Sequence, residues 1–159
     1  ADMVIAVSPP TAGRLTVQKI TDYRLHLAAS KRYLDQYSPI GRIDDLSQHR
    51  VVGYIQDMIF DKELDYLREV GVDTVNLASN SVAVQLNWVR NGAGVGILHD
   101  FSVPAAPGVV KVLPDDVSLT RSFYLVRQAD DRRLERQNRF AAALVDGLRR
   151  EVSRLESLA

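Results

Sequence analysis

The stretch "SNSVAVQLNWVRNGAGVGILHD", residues 79–100, constrains the chain most, because it encodes a helix passing straight into a strand. A short polar side chain at Ser79 or Asn80 is placed to cap the helix by accepting from a free amide of its first turn. Val82, Leu86 and Val89 recur at helical spacing and define one apolar face. Asn91-Gly92 stops the helix, since both residues tolerate the left-handed conformation of a C-terminal cap. Val95 to Leu98 then reads as a short buried strand that ends at His99-Asp100.

The same alternation runs through the rest of the chain. Met3–Val7 is an apolar strand stopped by the "SPPTAG" turn, and Leu15–Ile20 and Arg24–Ala29 read as two strands divided by "TD". Ser30 caps the helix "KRYLDQY", and "DDLSQH" makes a further helical turn with Asp44 or Asp45 near its start. The segments "VVGYI" and "DTVNLAS" are strands, and "DKELDYLREVG" between them reads as an amphipathic helix with Leu64 and Leu67 inward. After the strands "VVKVLP" and "SFYLVRQ", a charged helix from Arg132 carries Leu134, Ala141, Leu144, Leu148, Val152 and Leu155 on one side. Such a stripe is unstable bare in water, so it must dock on the "DMVIAV" strand or pair with another copy. Strands alternating with helices imply an α/β sheet covered by helices.

In sheets of this kind ligands bind beyond the carboxyl ends of the strands. Ser79-Asn80, Ser30 and "YIQD" after Gly53 each follow a strand and precede a helix, so parallel strands would bring all three to one edge.

Composition removes several classes of chemistry. With 20 basic and 20 acidic residues the charges cancel, so no global field favours nucleic acid or a membrane surface. The absence of cysteine removes disulfides, thiolate catalysis and thiolate metal sites, and fits a reducing compartment. No apolar run approaches the roughly 20 residues of a membrane span. "ADMVIAVSPP" has no basic lead-in, so it is not a signal peptide, and its abrupt start as a strand suggests a fragment of a longer chain. No histidine pair has metal-ligand spacing and no nucleophile elbow or phosphate loop occurs. "GAGVG" precedes a strand rather than a helix, the reverse of a dinucleotide site. No catalytic residue, metal site or cofactor is therefore expected. His26 is expected to be packed or on the surface, His49 to make a structural hydrogen bond, and His99 to be structural or to tune a ligand. Asp57 reads equally as a cleft acid or a helix-start carboxylate, and the arginines of the last helix as a solvated face.

The order of these segments resembles the C-terminal effector-binding domain of LysR-type transcriptional regulators. The first part of that pattern is met by Asp2, Ile5, Ala29-Ser30, Tyr33-Leu34, Asp45-Leu46 and His49, and the second by Gly92, Gly94, Val95 and Leu98. The resemblance continues through "GVVKVLPDD" and "FYLVRQADDRR", so that it covers essentially the whole chain. It implies a periplasmic-binding-protein-like (type II) fold, with two Rossmann-like α/β subdomains hinged by crossing strands and a small effector in the cleft. Residues 15–122 would be the complete second subdomain, and residues 1–14 and 123–159 the hinge and a remnant of the first. The family's winged helix-turn-helix and most of its first subdomain are missing from this chain. Lys31 stands where proline is common, and His99 where "L-P" is usual.

What the resemblance implies about function is an effector-sensing regulatory domain, cytoplasmic and homo-oligomeric, touching DNA only through a domain outside this chain. The expected effector contacts are Tyr54, Ile55 and Gln56 after the "VVG" strand and Ser79, Asn80 and Ser81 at the helix start. Ser8, Pro9 and Thr11 would lie on the hinge side, with His99 at the floor. A transport-type solute-binding protein, which shares the two-lobed architecture, is the alternative.

Overall fold

The computed structural model describes residues 2–129 and 134–159. Among these, seven strands form one mixed sheet: β1 (Met3–Ala6), β2 (Leu15–Ser30), β3 (Val51–Gly53), β4 (Leu77–Ala78), β5 (Val95–His99), β6 (Val109–Lys111) and β7 (Ser118–Gln128). Their order is β1-β7-β2-β5-β3-β4, with β6 also paired to β2. The helices are α1 (Lys31–Gln36), α2 (Tyr66–Glu69), α3 (Val82–Arg90) and α4 (Glu135–Glu156). The expected α/β class holds.

The pair of strands expected at 15–20 and 24–29 is one strand of 16 residues. "TD" does not divide it, because β7 pairs with it on both sides of the step, from Leu15↔Gln128 to His26↔Ser118, and a bulge between Lys19 and Thr21 absorbs the irregularity. The Ile20 carbonyl that the bulge turns aside accepts a hydrogen bond from Arg149 Nε of α4 at 2.6 Å. Thr21 and Asp22 stay in the ladder, and Asp22 is held by Lys19 at 2.8 Å and Ser122 at 2.5 Å. β2 is thus the spine of the sheet, antiparallel to β5, β6 and β7.

The β5–β3–β4 end is parallel. Its residues alternate between two cores. Val51, Val95 and Ile97 pack with Leu25, Leu27 and Tyr33 on one face, and Val52 and Leu98 pack with Ala28 and Val89 of α3 on the other. The glycines of "GAGVG" have separate tasks. Gly92, at φ +78°, ends α3, whereas Gly94 lets two backbones approach so closely that a Cβ there would lie 2.4 Å from the Arg50 carbonyl oxygen.

Several local expectations are corrected. α3 is capped by Ser81, whose Oγ accepts from Val84 N–H at 3.4 Å, and not by Ser79 or Asn80. Its buried face is Gln85 and Val89, while Val82 stands 45% exposed, because α3 reaches past the end of β5 at its first turn. "DKELDYLREVG" is not a continuous helix: a 3-10 turn at Lys62–Leu64 precedes the single turn of α2. Asp61 caps the first turn through Glu63 N–H, and Asp65 between the two turns has neither helical nor extended dihedrals, which breaks the helix. The strand reading of "VVGYI" and "DTVNLAS" shortens to β3 and β4, since their remaining residues have no ladder partner. Ser30 caps α1 as expected, accepting from Tyr33 N–H at 3.1 Å.

α4 docks chiefly on β2 and on the 3-10 turn Asp100–Ala105 that follows β5. Ala141 and Val145 close over Ile20 and Leu125, with Met3 of β1 at the rim, and Val152 reaches the main core. The stripe therefore has its partner within the chain, but Val145 belongs to it and Leu134, 52% exposed, does not. The expected start at Arg132 lies outside the described residues.

Candidate functional site: a cavity at the carboxyl edge of the parallel strands

Because β3, β4 and β5 run parallel, their ends at Gly53, Ala78 and His99 share one edge. Ser30 does not join them. β2 runs antiparallel to β5, so its end lies at the opposite edge, where Ser30 Oγ is 3.4 Å from the Cβ that Gly92 would carry. Two of the three expected clusters therefore share an edge, and the third is structural.

At this edge a cavity of about 400 Å³ opens between β5, the first turn of α3, the 54–66 segment and the paired strands β2 and β7. That volume is within the usual range for small-ligand sites, roughly 300–1,000 Å³. The wall is aromatic: Tyr23, Tyr54, Tyr66, His99, Phe101 and Phe123 all line it. Tyr23 stacks on Phe123 with centroids 4.2 Å apart, and His99 lies 4.9 Å from Phe101 and 5.5 Å from Tyr23. Val82, Ala83 and Leu86 of α3 close the opposite side.

The polar groups in this wall are unusual in their state. The Tyr66 hydroxyl is shut from water and lies among the Tyr23 and Tyr54 phenols, near enough that each influences its ionisation. Burial pushes the Tyr23 phenol up to about 12 and raises Tyr54 and Tyr66 as well. Burial likewise lowers His99 to about 4, against a smaller opposing pull from Asp100, so its imidazole is neutral near pH 7. Buried Gln85 donates from Nε2 to the Ser79 carbonyl at 2.7 Å, which holds its amide at the cavity wall.

The expected contacts are distributed as follows. Tyr54 and His99 line the cavity, and Gln56 borders a narrow crevice beside it, of about 10 Å³. Ile55 is exposed and lines neither space. Ser79, Asn80 and Ser81 lie on the same edge but are engaged locally: Ser79 Oγ accepts from Ser81 N–H at 3.1 Å, and Asn80 Nδ2 contacts Met58 Sδ at 3.3 Å. Ser8 bonds Asp61, whose carboxyl is held below its usual value first by that hydroxyl and then by Glu63 N–H. Pro9 borders a separate cavity of about 140 Å³ beside Arg121, and Thr11 is exposed. Asp57 is exposed in the 3-10 turn Gln56–Met58 and lines neither space.

Tyr23, Tyr66, Phe101 and Phe123 were not singled out in the sequence. Tyr23 and Phe123 lie on strands that meet only through the β2–β7 pairing, and no local pattern announces that. The other two histidines are structural in geometry. His49 Nδ1 meets the Tyr33 hydroxyl at 2.8 Å, and buried His26 meets Asp100 at 2.7 Å, with Lys111 on the other carboxylate oxygen at 3.3 Å. Among the described residues no group of His, Cys, Asp or Glu is placed to hold a metal, and no helix is long and apolar enough to cross a membrane.

A half-open, mainly apolar cavity at the carboxyl edge of parallel strands, beside the long β2–β7 pair, marks a ligand-sensing α/β domain of the periplasmic-binding-protein-like type. The chain belongs to the LysR substrate binding domain family, whose sequence profile matches residues 1–149. It is therefore an effector-sensing regulatory domain, and the solute-transport alternative is not favoured. No curated protein matches the sequence. Among solved structures, the CrgA regulatory domain, of a LysR-type transcriptional regulator from Neisseria meningitidis, is 20% identical at a TM-score of 0.77, with 92% of this chain and 75% of that one covered. Full-length AphB of Vibrio cholerae is 20% identical at a TM-score of 0.70 over 91% of this chain and 51% of its own. A Corynebacterium glutamicum OxyR C206 mutant is 17% identical at 0.68 over 99% and 51%. The chain thus spans about half the length of the latter two proteins.

Proposed function

We propose that the cavity at the β3–β5 edge is the effector site, and that occupancy biases how the β2–β7 strand pair is set against the β3–β5 end of the sheet. A ligand shifts such an equilibrium only by its differential affinity for the two states. Here that difference would come from walls belonging to separate elements: Tyr23 and Phe123 on β2 and β7, Val82 and Leu86 on α3. Residues 15–122 would act as the effector-binding subdomain, with 1–14 and 123–159 supplying the hinge and part of the other lobe. Tyr54, Gln56 and His99 would contact the effector directly, with Ser79, Asn80 and Ser81 holding the α3 end of the site. Ile55 would lie at the mouth, and Ser8, Pro9 and Thr11 on the hinge side. The domain would act without catalysis, in the cytoplasm, as part of a homo-oligomer that reaches DNA through a helix-turn-helix outside this chain.

The cavity itself, aromatic-walled and at the edge where such sheets bind ligands, carries this reading. A small-fragment library screened by protein-observed NMR tests it. Amide shifts should concentrate in residues 54–66, 82–86 and 97–102. Shifts concentrated instead around residues 44–47 and 71–74, which line a second cavity, would overturn the assignment.

A further inference from the structure

The composition of the cavity wall says what kind of molecule it accepts. Resting on the cavity assigned above, we infer that the effector is an uncharged aromatic compound carrying a hydrogen-bonding group such as a hydroxyl, carbonyl or carboxamide, and not a carboxylate or phosphate.

The walls are built for a flat apolar body. Phe101, Phe123, Tyr23 and His99 present ring faces and edges from one side, and Val82 and Leu86 present aliphatic surface from the other. Aromatic groups prefer offset or edge-on packing with centroids about 4.5–7 Å apart, the range in which these wall rings already sit against one another. The cavity's volume of about 400 Å³ admits one or two fused rings.

Charge is what the wall lacks. Among the described residues lining the cavity, no side chain is an Asp, Glu, Lys or Arg. The one imidazole is His99, which burial keeps neutral near pH 7. Arg121 packs its guanidinium 5.6 Å from the Tyr66 ring centroid, but it is outside the wall and already matched by Glu63 at 3.0 Å and by Glu69. An anionic effector would find no cationic side chain in this wall to offset the hydration it gives up.

What the wall offers instead is neutral hydrogen bonding. Tyr23, Tyr54 and Tyr66 bring three phenols to this part of the wall. A phenol both donates and accepts, so it suits a hydroxyl, a carbonyl or an amide equally. The amide of Gln85 and the ring nitrogens of His99 add neutral donors and acceptors in the same wall.

The test uses 2-naphthamide and 2-naphthoate, which match in shape and differ in charge. Calorimetric titration of the 159-residue chain at pH 7 should give naphthamide the tighter binding by about tenfold or more, a difference of about 1.4 kcal/mol. Leu86→Trp, which fills the cavity from a half-exposed position, should weaken naphthamide binding by about tenfold or more. Equal or tighter binding of naphthoate, or no binding of either probe at millimolar concentration, overturns the inferred effector class. Naphthamide binding that survives Leu86→Trp, with amide shifts outside the cavity, overturns the cavity assignment itself, so the two failures are distinct.

Discussion

At the β4 end of the sheet both faces are covered, whereas at the β1 end only one is. Val51, Val52 and Val95 are each at most 2% exposed, because the 43–48 turn, α1 and α2 close one face and α3 the other. At the β1 end, α4 buries Ile20 and Leu125, but Val4 and Val17 on the reverse face stand 48% and 39% exposed beside Val126. What differs is that each parallel strand requires a crossover connection, and the crossovers supply the cover, whereas β1 and β7 are antiparallel neighbours joined to no helix on that face. The closed end therefore tolerates no change in volume, while the open end is forgiving. The cavity sits where the closed end stops.

Three changes would break or sharpen this contrast. The largest effect is expected from Gly94→Val. Its Cβ would meet the Arg50 carbonyl oxygen at 2.4 Å, a backbone atom that no rotamer change can move aside. A loss of about 4 kcal/mol or more is expected, in the range of severe core defects. Urea denaturation would read it as a collapse of the folded baseline, and a stability within 1 kcal/mol of the parent, roughly the size of an ordinary substitution, would show that the two backbones can separate.

The next effect concerns acid. His99 binds a proton less readily in the folded chain than in the unfolded one, so the unfolded state carries more protons between about pH 6.5 and 4. Stability must then fall as the pH drops through that window, by up to about 3 kcal/mol, and is fully present above it. His99→Gln should remove this part of the pH dependence. Urea midpoints at pH 7 and pH 4.5 compare the two proteins, and an identical acid slope in both would refute the assignment to His99.

The smallest effect belongs to the open face. Val17→Thr should change stability by no more than about 0.5 kcal/mol, the usual size for surface positions. Val52→Thr, at 1% exposure, buries a hydroxyl and should cost about 1–3 kcal/mol. Equal costs for the two, measured by thermal unfolding, would mean that the open face is covered in solution.

Much of this molecule is legible along the chain. The caps at Ser30 and Gly92 and the helix-to-strand joint at 82–99 are local: each depends on residues within one or two turns, and the structure bears them out. The order of those segments sufficed for the family resemblance, which the family profile supports over residues 1–149. The docking of the last helix was also foreseeable in kind, since its apolar stripe needs a partner, though its site on β2 and the 100–105 turn was not.

Three matters were decided only in tertiary structure. The continuity of β2 through "TD" depends on β7 opposite and on Arg149 of α4, 129 positions from the carbonyl it satisfies. Strand direction sent Ser30 to the far edge of the sheet, and no residue near Ser30 encodes that direction. The cavity wall was assembled from β2, β5, β7, α3 and the 54–66 segment, so Tyr23, Tyr66, Phe101 and Phe123 became neighbours through pairing and not through spacing. Local patterning reports how a segment satisfies its own backbone and hides its own apolar face. The site is made of what those segments leave uncovered once they are packed together, and that remainder has no sequence signature of its own.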